Sequence, residues 1–299
     1  MDLVVDRHTD IDDFLAAAEP FLLADEAMNS LLLGVARSLK RQTQPRRRRP
    51  PVLATVRRGK QVTLAAVLPA QRKLLLAGQQ DDEESPAALA DHLARTPVAI
   101  PWVLGPVDVA LPFARRWSAT TGADFQPGLR QQLYKAVRAR IPPDSPPGHL
   151  QPAGFDERDL LSRWVLAFQQ EALPKEEGDL EASQMIADRL LSNSDLFVWR
   201  TGEGDTPRTV SMAARARPTV RGIAVNLVYT PPELRRHGYA SACVAHLTGL
   251  LLESGWEFCT LFTDRTNVTS NHIYRHIGYE PIADFDEYRF SLPRPGRTG

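Results

Sequence analysis

The segment VYTPPELRRHGYAS, residues 228–241, has the residue types of a binding site for a phosphate or pyrophosphate group. A predicted strand ends at two prolines, and a short turn with Arg235, Arg236 and Gly238 leads directly into a predicted helix. The first N–H groups of a helix lack intrahelical partners and lie at the positive end of its dipole, so they bind anions. Gly238 has no Cβ and allows close backbone approach, and the arginines add positive charge. The segment therefore predicts an anion-binding strand–loop–helix.

Two common phosphate-binding patterns are absent from the sequence. No glycine-rich loop ends in Gly-Lys-Ser/Thr, and no Gly-x-Gly-x-x-Gly follows a predicted strand. The pattern present is Arg235-x-x-Gly238-x-Ala240. It resembles the acetyl-CoA pyrophosphate loop of the GNAT superfamily of N-acetyltransferases, which reads Gln/Arg-x-x-Gly-x-Gly/Ala after the fourth strand. Taken alone, these residues are also compatible with an ordinary basic helix start that contains a glycine.

A second segment, NVTSNHIYRHIGY at residues 267–279, strengthens the resemblance. It is similar to the later motif of the same family, in which an Asn precedes a helix, a Tyr lies within it, and Gly-Tyr or Gly-Phe closes it. Asn271 and Tyr274 are three residues apart and share a helix face, and Gly278 suits a left-handed helix end. Each residue alone has a structural interpretation, as a turn residue or a core aromatic. Together with the loop, in the same order, they resemble GNAT proteins over about residues 150–292.

The resemblance implies a mode of acetyl-CoA binding. In the family the fourth and fifth strands splay apart, and the pantetheine arm lies between them along the backbone of the fourth strand, here residues 222–229. The pyrophosphate is expected at the amides of residues 236–240. The full set of expected cofactor-binding residues is Val228, Tyr229, Thr230, Arg235, Arg236, His237, Gly238, Tyr239, Ala240, Ser241, Asn267 and Asn271.

The resemblance also implies the chemistry, which is direct attack of a neutral amine on the thioester. Tyr274 is the expected general acid for the departing sulfur, because a phenol is protonated at neutral pH. Two carboxylates are candidates for the general base: Asp264 at the end of the predicted fifth strand, and Glu171 on an early helix. Asp264 has an alternative interpretation as a structural residue at the helix entry. Cys243 and Cys259 fall inside a helix and a strand and are interpreted as core residues rather than nucleophiles.

The acceptor is expected to be a primary amine of a small molecule or peptide, and no metal is expected. A cationic amine is indicated by the carboxylates around the early helices: Glu171, Glu176, Glu177, Asp179 and Glu181. The alternative function is a non-catalytic acyl-CoA-responsive binding module, which would not need Tyr274. Aminoacyl transfer from charged tRNA to a peptidoglycan precursor is disfavoured, because proteins with that activity do not need the intact pyrophosphate loop.

The resemblance, together with the order of the predicted elements, implies an α/β (α+β) fold with two tandem GNAT-like domains, each a mixed, mostly antiparallel sheet flanked by helices. The helix at 239–252 has apolar residues at i, i+3, i+4 and i+7, as a one-faced helix requires. In the C-terminal half, helices are predicted at 157–172 and 180–191 and strands at 196–200, 208–215, 222–229, 258–262 and 287–292. The N-terminal half shows a similar order, with helices at 11–21, 28–39, 86–94 and 107–120 and strands at 52–57, 61–68, 73–77, 99–104 and 129–137.

The proline-rich stretch IPPDSPPGHLQP, residues 141–152, is interpreted as a linker. It divides the chain into a degenerate GNAT-like domain, residues 1–147, and a catalytic domain, residues 148–299. In place of the loop, the N-terminal half has GQQDDEES at residues 78–85. Four carboxylates there would repel a pyrophosphate, so this half is expected to bind no CoA and to pack against the catalytic half.

Composition limits the remaining functions. The 299 residues hold 36 Lys+Arg and 36 Asp+Glu, so no net charge favours nucleic acid or a membrane surface. The arginine run at residues 46–49 lacks interleaved aromatics and is interpreted as a solvated basic loop. Two cysteines are too few for a disulfide framework. With no apolar run of membrane-spanning length and no signal-peptide pattern, the sequence favours a reduced, cytoplasmic protein that is a monomer or homodimer.

Overall fold

The computed structural model describes residues 2–41, 50–69, 73–172, 179–202 and 207–291, and these residues form 12 strands and 8 helices. The predicted arginine run at 46–49 and the carboxylates Glu176 and Glu177 lie outside the described residues. The strands are β1 (Leu3–His8), β2 (Val52–Arg58), β3 (Gln61–Leu68), β4 (Leu74–Gly78), β5 (Trp102–Pro106), β6 (Asp124–Ala136), β7 (His149–Pro152), β8 (Leu196–Thr201), β9 (Arg208–Ala216), β10 (Gly222–Tyr229), β11 (Phe258–Asp264) and β12 (Glu280–Ser291). The helices are α1 (Ile11–Ala24), α2 (Ser30–Arg41), α3 (Glu84–Ala94), α4 (Val107–Thr121), α5 (Arg158–Ala172), α6 (Leu180–Ser192), α7 (Tyr239–Glu253) and α8 (Val268–His276).

The chain forms two compact units that differ from the predicted halves. Unit 1 contains residues 1–133 and 282–299, and unit 2 contains residues 134–281. The predicted boundary at 147/148 therefore lies inside unit 2. The physical reason is strand pairing, because β12 pairs antiparallel with β5 from Phe285↔Pro106 to Arg289↔Trp102. The last predicted strand thus belongs to unit 1, although it closes the sequence.

Unit 1 is a mixed sheet covered by helices. Its strand order is β1-β2-β3-β4-β5-β12-β6, with β4 and β5 parallel and β1 through β4 antiparallel. Helices α3 and α4 pack their apolar faces on this sheet, with Leu89 and Leu93 from one helix and Phe113 from the other fully buried. Burial of an apolar side chain of this size stabilises a fold by roughly 1.5–3 kcal/mol.

Unit 2 is a sheet between two helical layers. Its order, starting from the last residues of β6, is β6-β11-β10-β9-β8-β7, and β10–β11 is its parallel pair. Alternate residues of a strand point to opposite faces, so Ile223 and Val225 of β10 pack with α7 and α8. The other face, which includes Met212 and Ala214 of β9, packs with α5 and α6.

Sequence patterns predicted all eight helices, but two strands were missed. β7 has the sequence HLQP, which offers one apolar residue and no alternation, and it forms by pairing with β8. β1 forms by pairing with β2 over Leu3–His8. Within α7, Leu250 was expected on the apolar face but is 45% exposed, whereas Leu251 is buried. None of the helices in the described ranges is long and apolar enough to cross a membrane.

Candidate active site

The carboxyl ends of β10 and β11 separate from each other. The two strands pair at only three positions, Gly222↔Phe258 to Ala224↔Thr260, although β10 continues to Tyr229 and β11 to Asp264. The register of β10 with β9 shifts between Asn226 and Tyr229, and Leu227 takes a left-handed φ of 49°. Such a bulge increases the local bend of a strand. The splay expected between the fourth and fifth strands is confirmed, as their pairing ends at Ala224 and Thr260 while both strands continue.

The amino terminus of α7 stands at the end of β10 and has no capping side chain. Its cap residue is Gly238, with φ 78°, and Arg236 also has a left-handed φ of 66°. The first turn of α7 contains no acidic residue, whereas Asp10 and Asp179 cap α1 and α6 with their carboxylates. No acidic residue in the first turn of α7 therefore neutralises the amide groups at this helix start. This local geometry suits an anion.

Arg235 takes a role that the sequence did not predict. Its Nη2 donates to Oε2 of Glu171 at 2.6 Å, and its Nε donates to the carbonyl oxygen of Thr230 at 2.9 Å. The guanidinium lies 5.7 Å from the ring centre of Tyr229, whose hydroxyl donates to Oε1 of Glu171 at 3.3 Å. Burial, then the nearby Glu171 charge, raises the pKa of Tyr229. Arg235 thus ties the loop to α5, and Glu171 is an ion-paired carboxylate rather than an unpaired base.

The remaining predicted loop residues lie around the start of α7 and the end of β10. Arg236 is exposed and has no ion-pair partner in the described ranges. His237 stacks on Tyr239 with ring centres 5.6 Å apart. The hydroxyl of Thr230 is 2.9 Å from that of Ser211 on β9, which fixes the strand end. Ala240 and Ser241 are half-buried in the first turn of α7, and Val228 packs on the α7 side of the sheet.

The two predicted asparagines are used structurally. Asn267 caps α8, and its Oδ1 accepts from the amide of Ser270 at 3.0 Å. Asn271 donates through Nδ2 to the carbonyl oxygens of Asp264 and Arg265, at 3.1 and 3.2 Å. Its Oδ1 accepts from the hydroxyl of Tyr134 at 3.1 Å. Both amide hydrogens and the oxygen of Asn271 are therefore engaged in holding the β11–α8 turn, and its role in cofactor binding stays a prediction.

Tyr274 and Asp264 differ in how available they are for proton transfer. Tyr274 is 8% exposed and packs between Tyr134 and Tyr279 at ring-centre distances of 6.2 and 6.1 Å. Burial raises the pKa of Tyr274 to about 12, so the phenol stays protonated at neutral pH. Oδ1 of Asp264 instead accepts from the amide and the hydroxyl of Thr266, at 2.7 Å each. Asp264 therefore holds the turn after β11, which matches its alternative interpretation.

Comparisons with known proteins agree with this geometry. Residues 207–290 match the family model described as FR47-like protein. A solved Drosophila protein is similar over 98% of this chain and 100% of its own, with TM-score 0.67 and 14% identity. A GCN5-related N-acetyltransferase from Sphaerobacter thermophilus is similar over 98% and 96%, with TM-score 0.61 and 15% identity. A tandem GNAT protein from the clavulanic acid biosynthesis pathway is similar over 99% of this chain and 100% of its own, with TM-score 0.54 and 13% identity.

The chain has the GNAT fold. The resemblance stated from the sequence is thereby confirmed, as is the α/β class with tandem GNAT-like domains. No curated protein sequence matches this chain.

The GNAT site contains one further polar residue, Asn226, whose amide cannot serve as a base and for which the sequence predicted no other role. Asn226, at the β10 bulge, has a buried Oδ1 with no hydrogen-bond partner. Ile223 and Val225 face α7, so the alternation of the strand directs Asn226 toward α5 and α6. An unpartnered buried carbonyl costs about 1–3 kcal/mol, so such groups need a specific reason. The signal in the sequence was one amide inside the apolar strand GIAVNLVY.

Burial determines the state of the two thiols. Cys243 and Cys259 are both buried and unpaired in the GNAT core, and burial raises the pKa of each thiol to about 12. Both are therefore core residues, as expected. Over the part of the chain that the structure describes, no group of three or more His, Cys, Asp and Glu side chains could hold a metal ion.

In unit 1, a carboxylate of the protein lies at the amino terminus of α3, the helix that corresponds to α7 in sequence order. Asp82 lies before α3, and its Oδ1 accepts from the amide of Ser85 at 3.1 Å. Its Oδ2 accepts from the hydroxyl of Ser85 at 2.5 Å, and Arg58 is 3.6 Å from Oδ1. Glu84 adds a second carboxylate in the first turn. The helix start that a phosphate would use is thus occupied by carboxylates.

Proposed function

We propose that the chain is an N-acetyltransferase that moves an acetyl group from acetyl-CoA to a primary amine. One observation carries the proposal. Helix α7 begins at the left-handed Gly238 with no capping side chain and no carboxylate in its first turn, directly after a strand that splays from its neighbour. A helix start of this kind binds the diphosphate of a carrier, and the wedge receives the arm attached to it.

The described residues fit such a carrier. The diphosphate would contact the amides of Arg236 to Ser241, and Arg236 adds an unpaired positive charge. The pantetheine arm would hydrogen-bond the main chain of β10 after the bulge, at Val228, Tyr229 and Thr230. Asn267 caps α8 at the other side of the wedge through its oxygen, which leaves its amide group for the carrier. The two units are not equivalent in this respect, because Oδ1 of Asp82, just before α3, accepts from the amide of Ser85 in the first turn of that helix.

The reaction we propose is a direct transfer. The amine nitrogen attacks the thioester carbonyl carbon, the C–N bond forms, and the C–S bond breaks. The sulfur takes a proton from the Tyr274 phenol, and the phenoxide regains a proton from the amine nitrogen, directly or through water. The products are the N-acetyl amine and the thiol of CoA. A phenol with a pKa of about 12 remains available as an acid throughout the neutral range.

The acceptor would bind on the α5/α6 side of β10. Oδ1 of Asn226 is unpartnered there and accepts a hydrogen bond from the attacking amine. Glu171, neutralised in part by Arg235, gives this side a carboxylate that suits a cationic molecule. Asp179 caps α6 and Glu181 is exposed on that helix, and we do not include either residue among the proposed contacts with the acceptor amine. Asp264 is retained as the candidate base, whose second oxygen would take the proton from the amine nitrogen and pass it through water to the Tyr274 phenoxide. We place the protein in the reduced cytoplasm, where two unpaired thiols are stable.

The test is a transfer assay with acetyl-CoA and a panel of primary amines, followed by free-thiol release and mass spectrometry of the acceptor. The proposal expects thiol release that depends on one class of cationic amine, with the acceptor heavier by one acetyl group. Asn226→Leu is the matched variant, because it removes the unpartnered oxygen at similar volume. It should raise KM for the amine and leave KM for acetyl-CoA unchanged. Saturable binding of acetyl-CoA with no transfer to any amine would instead favour the non-catalytic module.

A further inference from the structure

A basic cleft lies on unit 2 between helix α8 and residues 140–143 of the proline-rich stretch. Its volume is about 470 Å³, and its polar side chains are those of Arg140, His272, Arg275 and His276. No carboxylate lines it. On α8 the lining residues are spaced i, i+3 and i+4 and form one exposed face, while Tyr274 points into the core. Four nitrogen-bearing side chains therefore converge on one cavity.

The backbone on both sides of the cleft is fixed by hydrogen bonds. The amide of Arg140 donates to the carbonyl oxygen of Ile277 at 2.9 Å, which joins the stretch to the end of α8. The amide of Ser145 and its hydroxyl both donate to the carbonyl oxygen of Pro142, at 3.1 and 2.6 Å. Gly278 has φ 104°, and a Cβ there would lie 2.6 Å from the carbonyl oxygen of Arg138. The cleft is thus preformed rather than assembled by a ligand.

The charges in the cleft lack counter-ions within the described parts of the chain. Arg140 and Arg275 form no ion pair there. Elsewhere in unit 2, Arg158 pairs with Asp188, Arg200 with Glu157, and Arg215 with Asp195. His272 and His276 stack with ring centres 6.2 Å apart, which holds both imidazoles toward the same side. An anion in the cleft would supply a counter-ion for the two guanidinium groups.

We propose that this cleft binds a phosphomonoester. Guanidinium groups match phosphate oxygens with two parallel hydrogen bonds, and imidazole N–H groups add further donors. A volume of about 470 Å³ suits a small phosphorylated molecule rather than a bare ion. This chemistry has two possible sources: a free phosphorylated metabolite, or the 3′-phosphate of the CoA carrier itself. The second source rests on the proposed function.

The chain path keeps the second source within reach. Pro146 packs on Gly238, with its Cδ 3.2 Å from the position of a Cβ at that residue. Pro143 lines the cleft and is three residues before Pro146, so they are at most about 11 Å apart. Residues 143–146 therefore connect the cleft, which Pro143 lines, to the proposed diphosphate loop, where Pro146 packs on Gly238.

Calorimetric titrations at fixed ionic strength test both sources. In the first arm, CoA and 3′-dephospho-CoA are titrated into the full-length protein. In the second arm, inorganic phosphate is titrated into protein saturated with 3′-dephospho-CoA. Each arm uses the wild type, Arg140→Gln, Arg275→Gln and the control Arg189→Gln, which removes an exposed charge on α6 away from the cleft.

A carrier phosphate in the cleft predicts that Arg275→Gln and Arg140→Gln each weaken CoA by about tenfold and leave 3′-dephospho-CoA unchanged. A free phosphomonoester predicts saturable phosphate binding that both variants weaken by about tenfold and Arg189→Gln does not. The proposal is overturned if neither phosphate binding nor the preference for CoA over 3′-dephospho-CoA depends on Arg140 and Arg275. The second arm involves no acyl transfer, so phosphate binding there stands even if the chain acetylates nothing.

Discussion

The variant Ser241→Asp tests how the start of α7, which has no capping side chain, affects both the stability of the fold and the binding of an anion. Ser241 is the third residue of the helix, and the first turn contains no acidic residue. A carboxylate at this position interacts favourably with the helix dipole and raises the free energy of unfolding by about 0.3–1 kcal/mol. The same carboxylate would repel a bound diphosphate. The variant is therefore expected to be more stable and to bind the carrier less well.

The expected size of the repulsion follows from Coulomb's law. A carboxylate about 6 Å from a diphosphate with about two charges costs about 1.4 kcal/mol at the dielectric constant of water, and more at a partly buried site. This corresponds to at least about a tenfold increase in Kd or KM for acetyl-CoA. The effect should decrease as salt is added, because the interaction is screened over about 10 Å at 0.1 M.

The assay combines denaturant unfolding with steady-state kinetics or calorimetry at two salt concentrations. Ser241→Asn is the matched control, since it adds similar volume without charge and should leave KM for acetyl-CoA within about twofold. A stabilised Ser241→Asp variant that binds acetyl-CoA as tightly as the wild type would refute the placement of the diphosphate. Parallel loss of stability and binding in both variants would indicate misfolding instead, and that result would also refute the reasoning about the dipole.

Three other perturbations have expected outcomes. Tyr274→Phe should lower kcat about 100-fold with little change in KM for acetyl-CoA, and full activity of the variant would exclude Tyr274 as the acid. Because the pKa of Tyr274 is about 12, the kcat of the wild type should show no alkaline loss from this residue below about pH 11. Arg235→Gln should reduce the free energy of unfolding by less than about 1 kcal/mol, because its ion pair with Glu171 is half-exposed. In a double-mutant cycle with Glu171→Gln, the effects on KM for the amine should be non-additive, and strict additivity would contradict a coupling between the two residues. Neither cysteine should react with a thiol reagent in the native protein at pH 8, and both should react after denaturation, because burial raises the pKa of each thiol to about 12; rapid native labelling would contradict their burial.

The sequence was most informative where chemistry depends on neighbouring residues. The loop could be predicted because Arg236, Gly238 and the start of α7 lie within a few positions, and their geometry is set locally. The helices could be predicted because their apolar spacing records the face that packs on the sheet. The α/β class follows from the order of those elements.

Contacts between distant residues could not be predicted in the same way. Arg235 is 64 positions from Glu171, and no local pattern shows that this arginine contacts α5 rather than an anion. Asn271 is 137 positions from Tyr134, whose hydroxyl occupies its oxygen. β7 and β12 likewise depend on partners far away in the sequence. Motif matching assigned functional roles to these residues from their residue types, whereas in the folded chain their roles depend on the residues that they contact.

The most direct test of the central claim is a calorimetric titration of CoA into the full-length protein at low salt. The structure predicts one saturable site per chain, because the first turn of α7 has no acidic residue, whereas the carboxylate of Asp82 accepts from an amide in the first turn of α3. Binding should weaken at least about tenfold in Ser241→Asp. The absence of saturable heat, or a site whose affinity ignores a carboxylate at residue 241, would contradict the claim that the start of α7 binds the carrier.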